Sequence, residues 1–107
     1  MTSYGTNSAA QILAYGAADS TQDTRTAACR DLATVDINTH LGLANDLVTV
    51  PANITQCANA LAAGYLLQSP GDKEDNAWLK KGRDLLENLN LTDIDRPENY
   101  NVVVARF

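Results

Sequence analysis

Few side chains here could do chemistry, and none stands beside a partner at a working spacing. His40 is the only histidine, and Cys29 and Cys57 are the only cysteines. A zinc site draws on closely spaced pairs of such ligands, and no such pair is present. A Cys29–Cys57 disulfide would need two helices to meet at those turns, and nothing else points to an oxidising compartment. Both are expected as buried or half-buried free thiols, because free cysteine packs like a small hydrophobe. One histidine leaves little room for acid–base work, and neither paired carboxylates nor a nucleophile–base spacing occurs. The expectation is a protein that is not an enzyme and takes no cofactor and no metal. Lys80, Lys81 and Arg83 cluster as a phosphate patch would, but Asp84 and Glu87 stand at helical i+3 or i+4 spacing from them. That pattern predicts a solvated, charge-paired face. Asn53-Ile54-Thr55 and Asn90-Leu91-Thr92 fit the glycosylation sequon. The chain is rich in Asn and Thr, so chance accounts for such matches.

The bulk properties narrow the class further. The formal net charge is −5, which removes the basic footprint of a nucleic-acid binder. No apolar run approaches the ~18–20 residues needed to cross a bilayer. The first residues, MTSYGTNSAA, carry neither a basic nor an apolar region of the signal-peptide kind, so none is expected. At 107 residues one domain with one core is expected. Leucine and alanine supply the apolar weight, which favours helix over strand.

The element that must organise the rest is Pro51–Leu67, PANITQCANALAAGYLL. Ile54, Cys57, Ala58, Leu61, Ala62, Tyr65 and Leu66 recur with the period of a helix bearing one broad apolar stripe. Small and large residues alternate along it, so neighbouring helices can approach closely. Pro51 suits the first turn, where its missing N–H costs nothing. This segment belongs in the middle of a small helical bundle.

Around it the spacing predicts three more helices. Asn7 or Ser8 caps a short one through Tyr15, stopped by Gly16 and able to bury Ile12, Leu13 and Tyr15. A second runs from about Thr21 to Leu41 after a cap at Asp19-Ser20-Thr21, with Gly42 as its stop. Its apolar stripe reads Ala28, Leu32, Val35 and then Ala33, Ile37, Leu41, with Arg25, Arg30, Asp31 and Asp36 on the other face. In the connection Gly42–Val50, Leu47, Val48 and Val50 are expected to tuck under the bundle, with a short extended contact to a neighbouring subunit as the other reading. Pro70-Gly71-Asp72 breaks the chain. A last helix over Lys73–Asn88 then starts with Asp72, Glu74 and Asp75 at its positive end and is expected to bury Ala77, Trp78, Leu85, Leu86 and Leu89.

From Leu89 the helical stripe is lost. Residues 1–90 therefore read as an all-α bundle domain of about four helices, and residues 91–107 as an extended C-terminal arm. The run Tyr100-Asn101-Val102-Val103-Val104-Ala105-Arg106-Phe107 is β-branched and closes on an aromatic. A lone strand beside a helical bundle has no sheet to join, so this run is the candidate partner-binding site.

Taken in order, these pieces resemble the helical head–tail connector (adaptor) proteins of tailed bacterial and archaeal viruses. The likeness runs through the short helix SAAQILAY and the long polar-faced helix ending THLGL. VPANITQCANALAAGYLL is its most characteristic part, followed by DNAWLKKGRDLLENL and the extended tail. The resemblance implies a ring beneath the portal, usually of twelve copies, joined to neighbouring copies of itself. It implies an arm that docks on the portal protein, or on a neighbouring subunit, through Tyr100–Phe107. The lower face would receive the tail or a second connector protein. DNA would pass through the ring as cargo without specific binding, and no membrane is involved. The location implied is the virion head–tail interface, with host cytoplasm during assembly. From the residues alone, a small helical regulatory or antitoxin-like protein-binding module is the alternative.

Overall fold

Local caps decide where the helices begin and end. The computed structural model describes residues 4–89, which form α1 (Asn7–Tyr15), α2 (Asp23–Leu41), α3 (Ala52–Leu67) and α4 (Ala77–Asn88), with a short 3-10 turn at Ser20–Gln22. The described part is all-α, as expected. Thr6, in extended conformation, accepts the Ala9 N–H through its hydroxyl at 3.2 Å and so starts α1. The cap therefore lies one residue before Asn7, which is already helical. Gly16 ends α1 with φ +82, and Gly42 ends α2 with φ +72, a region other residues avoid. Asp19 accepts from the Thr21 N–H at 2.9 Å, and this cap opens the 3-10 turn that leads into α2.

α3 is the central element. Its expected stripe is buried, with Tyr65 half-buried, and Ala60, Ala63 and Gly64 are buried as well. It is covered nearly all round because α1, α2 and α4 all pack against it. Pro51 is its N-cap and not a residue of its first turn.

α4 starts at Ala77, later than the expected Lys73. Asn76 takes the cap, accepting the Leu79 N–H at 3.0 Å while donating to the Gly64 carbonyl at 2.8 Å. Asp72 and Asp75 consequently stay in the loop, where Asp72 accepts the Ser69 N–H at 2.8 Å. The cap also sets which face turns inward. Leu79 and Gly82 are buried and Leu85 and Leu86 partly so, whereas Ala77 is exposed and Trp78 half-buried.

Two glycines let α3 and α4 meet closely. A Cβ on Gly64 would lie 2.6 Å from the Leu79 nitrogen, and one on Gly82 would lie 2.9 Å from the Leu61 nitrogen. Each helix thus offers a notch that the other fills with a leucine. Such contact strengthens dispersion, which falls off steeply with any gap.

α1 and α2 turn faces inward that differ from those expected. In α1, Ile12 and Tyr15 are 52% and 42% exposed, while Ala10 and Gln11 are buried. Gln11 can be buried because its amide is satisfied: it donates to Asp23 Oδ1 and Thr26 Oγ1 at 3.0 Å and accepts the Asp19 N–H at 2.7 Å. In α2, Cys29, Ala33, Ile37 and Leu41 face the core with Thr26 and Thr34 among them. Ala28, Leu32 and Val35 face outward. The two threonines bond back to Gln22 and Arg30 carbonyls, so burial leaves neither hydroxyl unpaired.

Tyr4 completes the core from the segment before α1 and is 1% exposed. Its N–H donates to Thr34 Oγ1, its hydroxyl donates to Asn38 Oδ1 at 2.7 Å, and that hydroxyl accepts the Leu47 N–H at 2.8 Å. One side chain thereby ties the first residues, α2 and the α2–α3 connection together. Arg30, expected on the outer face, instead reaches the Gly5 carbonyl and Asn7 Oδ1 at 2.8 Å each and holds the same segment.

Candidate functional site

The sequence places partner binding at Tyr100–Phe107, and those residues lie outside the described part of the chain. Among the described residues, the outer side of α2 carries an open, shallow apolar depression. Ala28, Leu32 and Val35 follow each other at i, i+4 and i+7, with Asp31 beside them, and line an open groove of about 520 Å³. Leu32 is 53% and Val35 45% exposed. Ala28 leaves room between its larger neighbours, so the groove can take an apolar side chain.

The α2–α3 connection splits the expectation made for it. Leu43, Leu47 and Val50 pack on the core, whereas Val48 projects fully into solvent at 101% exposure. Asp46 accepts from Asn38 Nδ2 at 2.6 Å, which fixes the turn.

A polar cluster links α2, α3 and α4. The Tyr65 hydroxyl donates to Asp36 Oδ2. Arg83 pairs through Nε with Asp75 Oδ2 at 2.6 Å. Burial first, and then the bond to Asp36, pushes the Tyr65 hydroxyl up to about 12. Burial and the nearby Asp36 carboxylate likewise push the Cys57 thiol up to about 12, and burial raises Cys29. Both cysteines are free, as expected. The Cys57 thiol, displaced this far upward, stays protonated at neutral pH. The cluster ties α2, α3 and α4 together.

The cationic group on α4 is solvated. Lys80 and Lys81 are exposed. Arg83 pairs with Asp75, in the preceding loop, and not with the helical acids Asp84 or Glu87. The Lys81 ammonium lies 6.0 Å from the centre of the Trp78 ring, at the outer limit of a cation–π contact. His40 is exposed near the end of α2. Among the described residues, no three His, Cys, Asp or Glu side chains gather where a metal could sit, and no helix is long and apolar enough to cross a membrane.

The groove was legible as a pattern. The spacing of Ala28, Leu32 and Val35 marks an apolar stripe, which the sequence reading assigned to the inside. Compared with known proteins, the chain matches no family model, no curated protein and no solved structure.

Proposed function

We propose that this chain is the structural subunit of a head–tail connector, a ring component with no chemistry of its own. The observation that carries the reading is the described architecture: a central helix enclosed by three others, in the order that the resemblance implies, with an apolar side of α2 left open for lateral contact. The acidic balance of the chain fits a channel that passes DNA without gripping it. The proposed location is the virion, with the run Tyr100–Phe107 bound to the portal protein or to a neighbouring copy. A small protein-binding module is the second reading, and the same groove on α2 favours it.

Deletion of residues 99–107 separates assembly from folding. The truncated protein should keep its helical circular dichroism and its melting temperature, and should no longer join a co-expressed portal protein. A fall of many degrees on deletion, or undiminished joining, would sink the arm hypothesis. Failure of the full chain to associate with any portal would sink the connector reading itself. Portal and capsid reading frames beside the gene would favour the ring over the binding module.

A further inference from the structure

Two stretches that lie outside every helix meet at one hydroxyl. Tyr4–Thr6 and residues 43–50 form bends and coil, so neither carries a helical ladder of hydrogen bonds to hold its shape. Side chains close a circuit between them instead. The Leu47 N–H donates to the Tyr4 hydroxyl at 2.8 Å, and that hydroxyl donates to Asn38 Oδ1 at 2.7 Å. Asn38 Nδ2 then donates to Asp46 Oδ1 at 2.6 Å. The circuit thus returns to the residue next to the one where it began. Its directions are fixed, because an N–H only donates and the Asn38 amide is turned by a hydroxyl on one side and a carboxylate on the other.

Bonds in such a circuit polarise one another, so breaking one weakens the rest. Proteins open locally in contiguous units, and segments with few apolar contacts and no ladder open first. The connection is of that kind: Leu43, Leu47 and Val50 are only partly buried, and Val48 stands wholly in solvent. We propose that Tyr4–Thr6 and residues 43–50 form one cooperative unit that opens ahead of the helical bundle, with the Tyr4 hydroxyl as its clasp.

The remaining bonds of the first stretch seat the phenol in its socket. The Tyr4 N–H donates to Thr34 Oγ1 at 2.9 Å, Arg30 reaches the Gly5 carbonyl at 2.8 Å, and the Thr6 N–H donates to Asn59 Oδ1 at 3.1 Å. With this strap down, the Leu47 N–H has an acceptor. With it lifted, a partly buried donor loses its partner, which is the costly outcome for a backbone group. The two stretches therefore favour each other, and such coupling is reciprocal. A partner that captures the first residues of the chain loosens the connection that carries Val48, and one that pulls on the connection frees the first residues.

Amide hydrogen exchange of the full chain, followed by nuclear magnetic resonance, tests it. In the native protein the Tyr4 and Leu47 N–H groups should show equal protection, and both should exchange faster than the N–H of Leu61 in the core. Tyr4→Phe fills the same socket without the hydroxyl and should speed Leu47 exchange about tenfold, the scale set by one unpaired donor. Leu47→Ala, made on the connection, should in turn speed exchange of the Tyr4 N–H by a similar factor. Circular dichroism checks that both variants stay helical, and the comparison within the native protein needs neither of them. The proposal is overturned if Tyr4 and Leu47 exchange as slowly as Leu61, since they then open only with the whole bundle. It is equally overturned if their protections differ severalfold, or if either substitution leaves the other stretch unchanged, since the two then open independently.

Discussion

Replacing Gly64 by alanine sets two physical effects against each other, and the structure decides which wins. In an isolated helix the change is favourable by about 1 kcal/mol, because alanine loses less backbone freedom than glycine. In the bundle the new Cβ would stand 2.5 Å from Leu79 Cγ, 2.6 Å from its nitrogen and 2.9 Å from its Cα. Comfortable carbon contacts lie near ~3.5–4.0 Å, so α4 must retreat by about 1 Å. That retreat also draws Leu61 away from its notch at Gly82. Overpacking of this kind costs ~1–3 kcal/mol, and loosening the facing contact adds to it. The net expectation is a loss of about 2 kcal/mol, equivalent to roughly 8–16 °C in melting temperature for a domain of this size. Urea denaturation followed by circular dichroism measures it. Gly71→Ala, where nothing lies within 4 Å, is the control and should move stability by less than ~0.5 kcal/mol. Adding Leu79→Ala should not rescue the variant, because two of the three clashes are with backbone. A neutral or stabilising Gly64→Ala would mean that α3 and α4 stand farther apart than described.

Other outcomes follow from the same packing. Leu61 is fully buried, and Leu61→Ala should cost on the order of 2–5 kcal/mol in chemical denaturation; a loss well under 1 kcal/mol would be incompatible with its place in the core. The folded state keeps protons on Cys57 and Tyr65 to about 12, whereas the free groups release them near 9.0 and 10.0. Their contribution is therefore fully present below pH 9 and is lost as the pH rises toward about 12, at ~1.4 kcal/mol for each unit of displacement before solvent screening at the half-buried tyrosine. Denaturation at stepped alkaline pH should show this fall, with a smaller one between pH 10 and 12 in Tyr65→Phe; a flat profile would refute the burial argument. Duplex DNA should not be retained even at low salt, where backbone electrostatics are strongest. A salt-sensitive submicromolar complex would instead implicate the Lys80–Arg83 face.

The sequence by itself determined the helical class, the central place of α3 and the stops at Gly16 and Gly42. Each is set by local physics: a 3.6-residue period, or a backbone angle that glycine reaches freely. It also picked out Ala28, Leu32 and Val35 as apolar positions of α2, but joined them with Ala33, Ile37 and Leu41 into one drifting stripe, whereas the structure sets the first three on a side of their own. Only the tertiary structure decided that this side faces out, because α2 carries two apolar stripes of similar weight and periodicity cannot rank them. The choice went to the stripe whose neighbours, Thr26 and Thr34, could bond their own helix and accept burial. Gln11 was invisible for the same reason, since a buried amide is tolerable only once Asp19, Asp23 and Thr26 surround it. Tyr4 belongs to the core through partners thirty and more residues away, a relation no local pattern encodes. The reciprocal Gly64–Leu79 and Gly82–Leu61 notches likewise exist only once two helices cross. Local conformational preference is written residue by residue, whereas the satisfaction of buried groups depends on which distant segments arrive beside them.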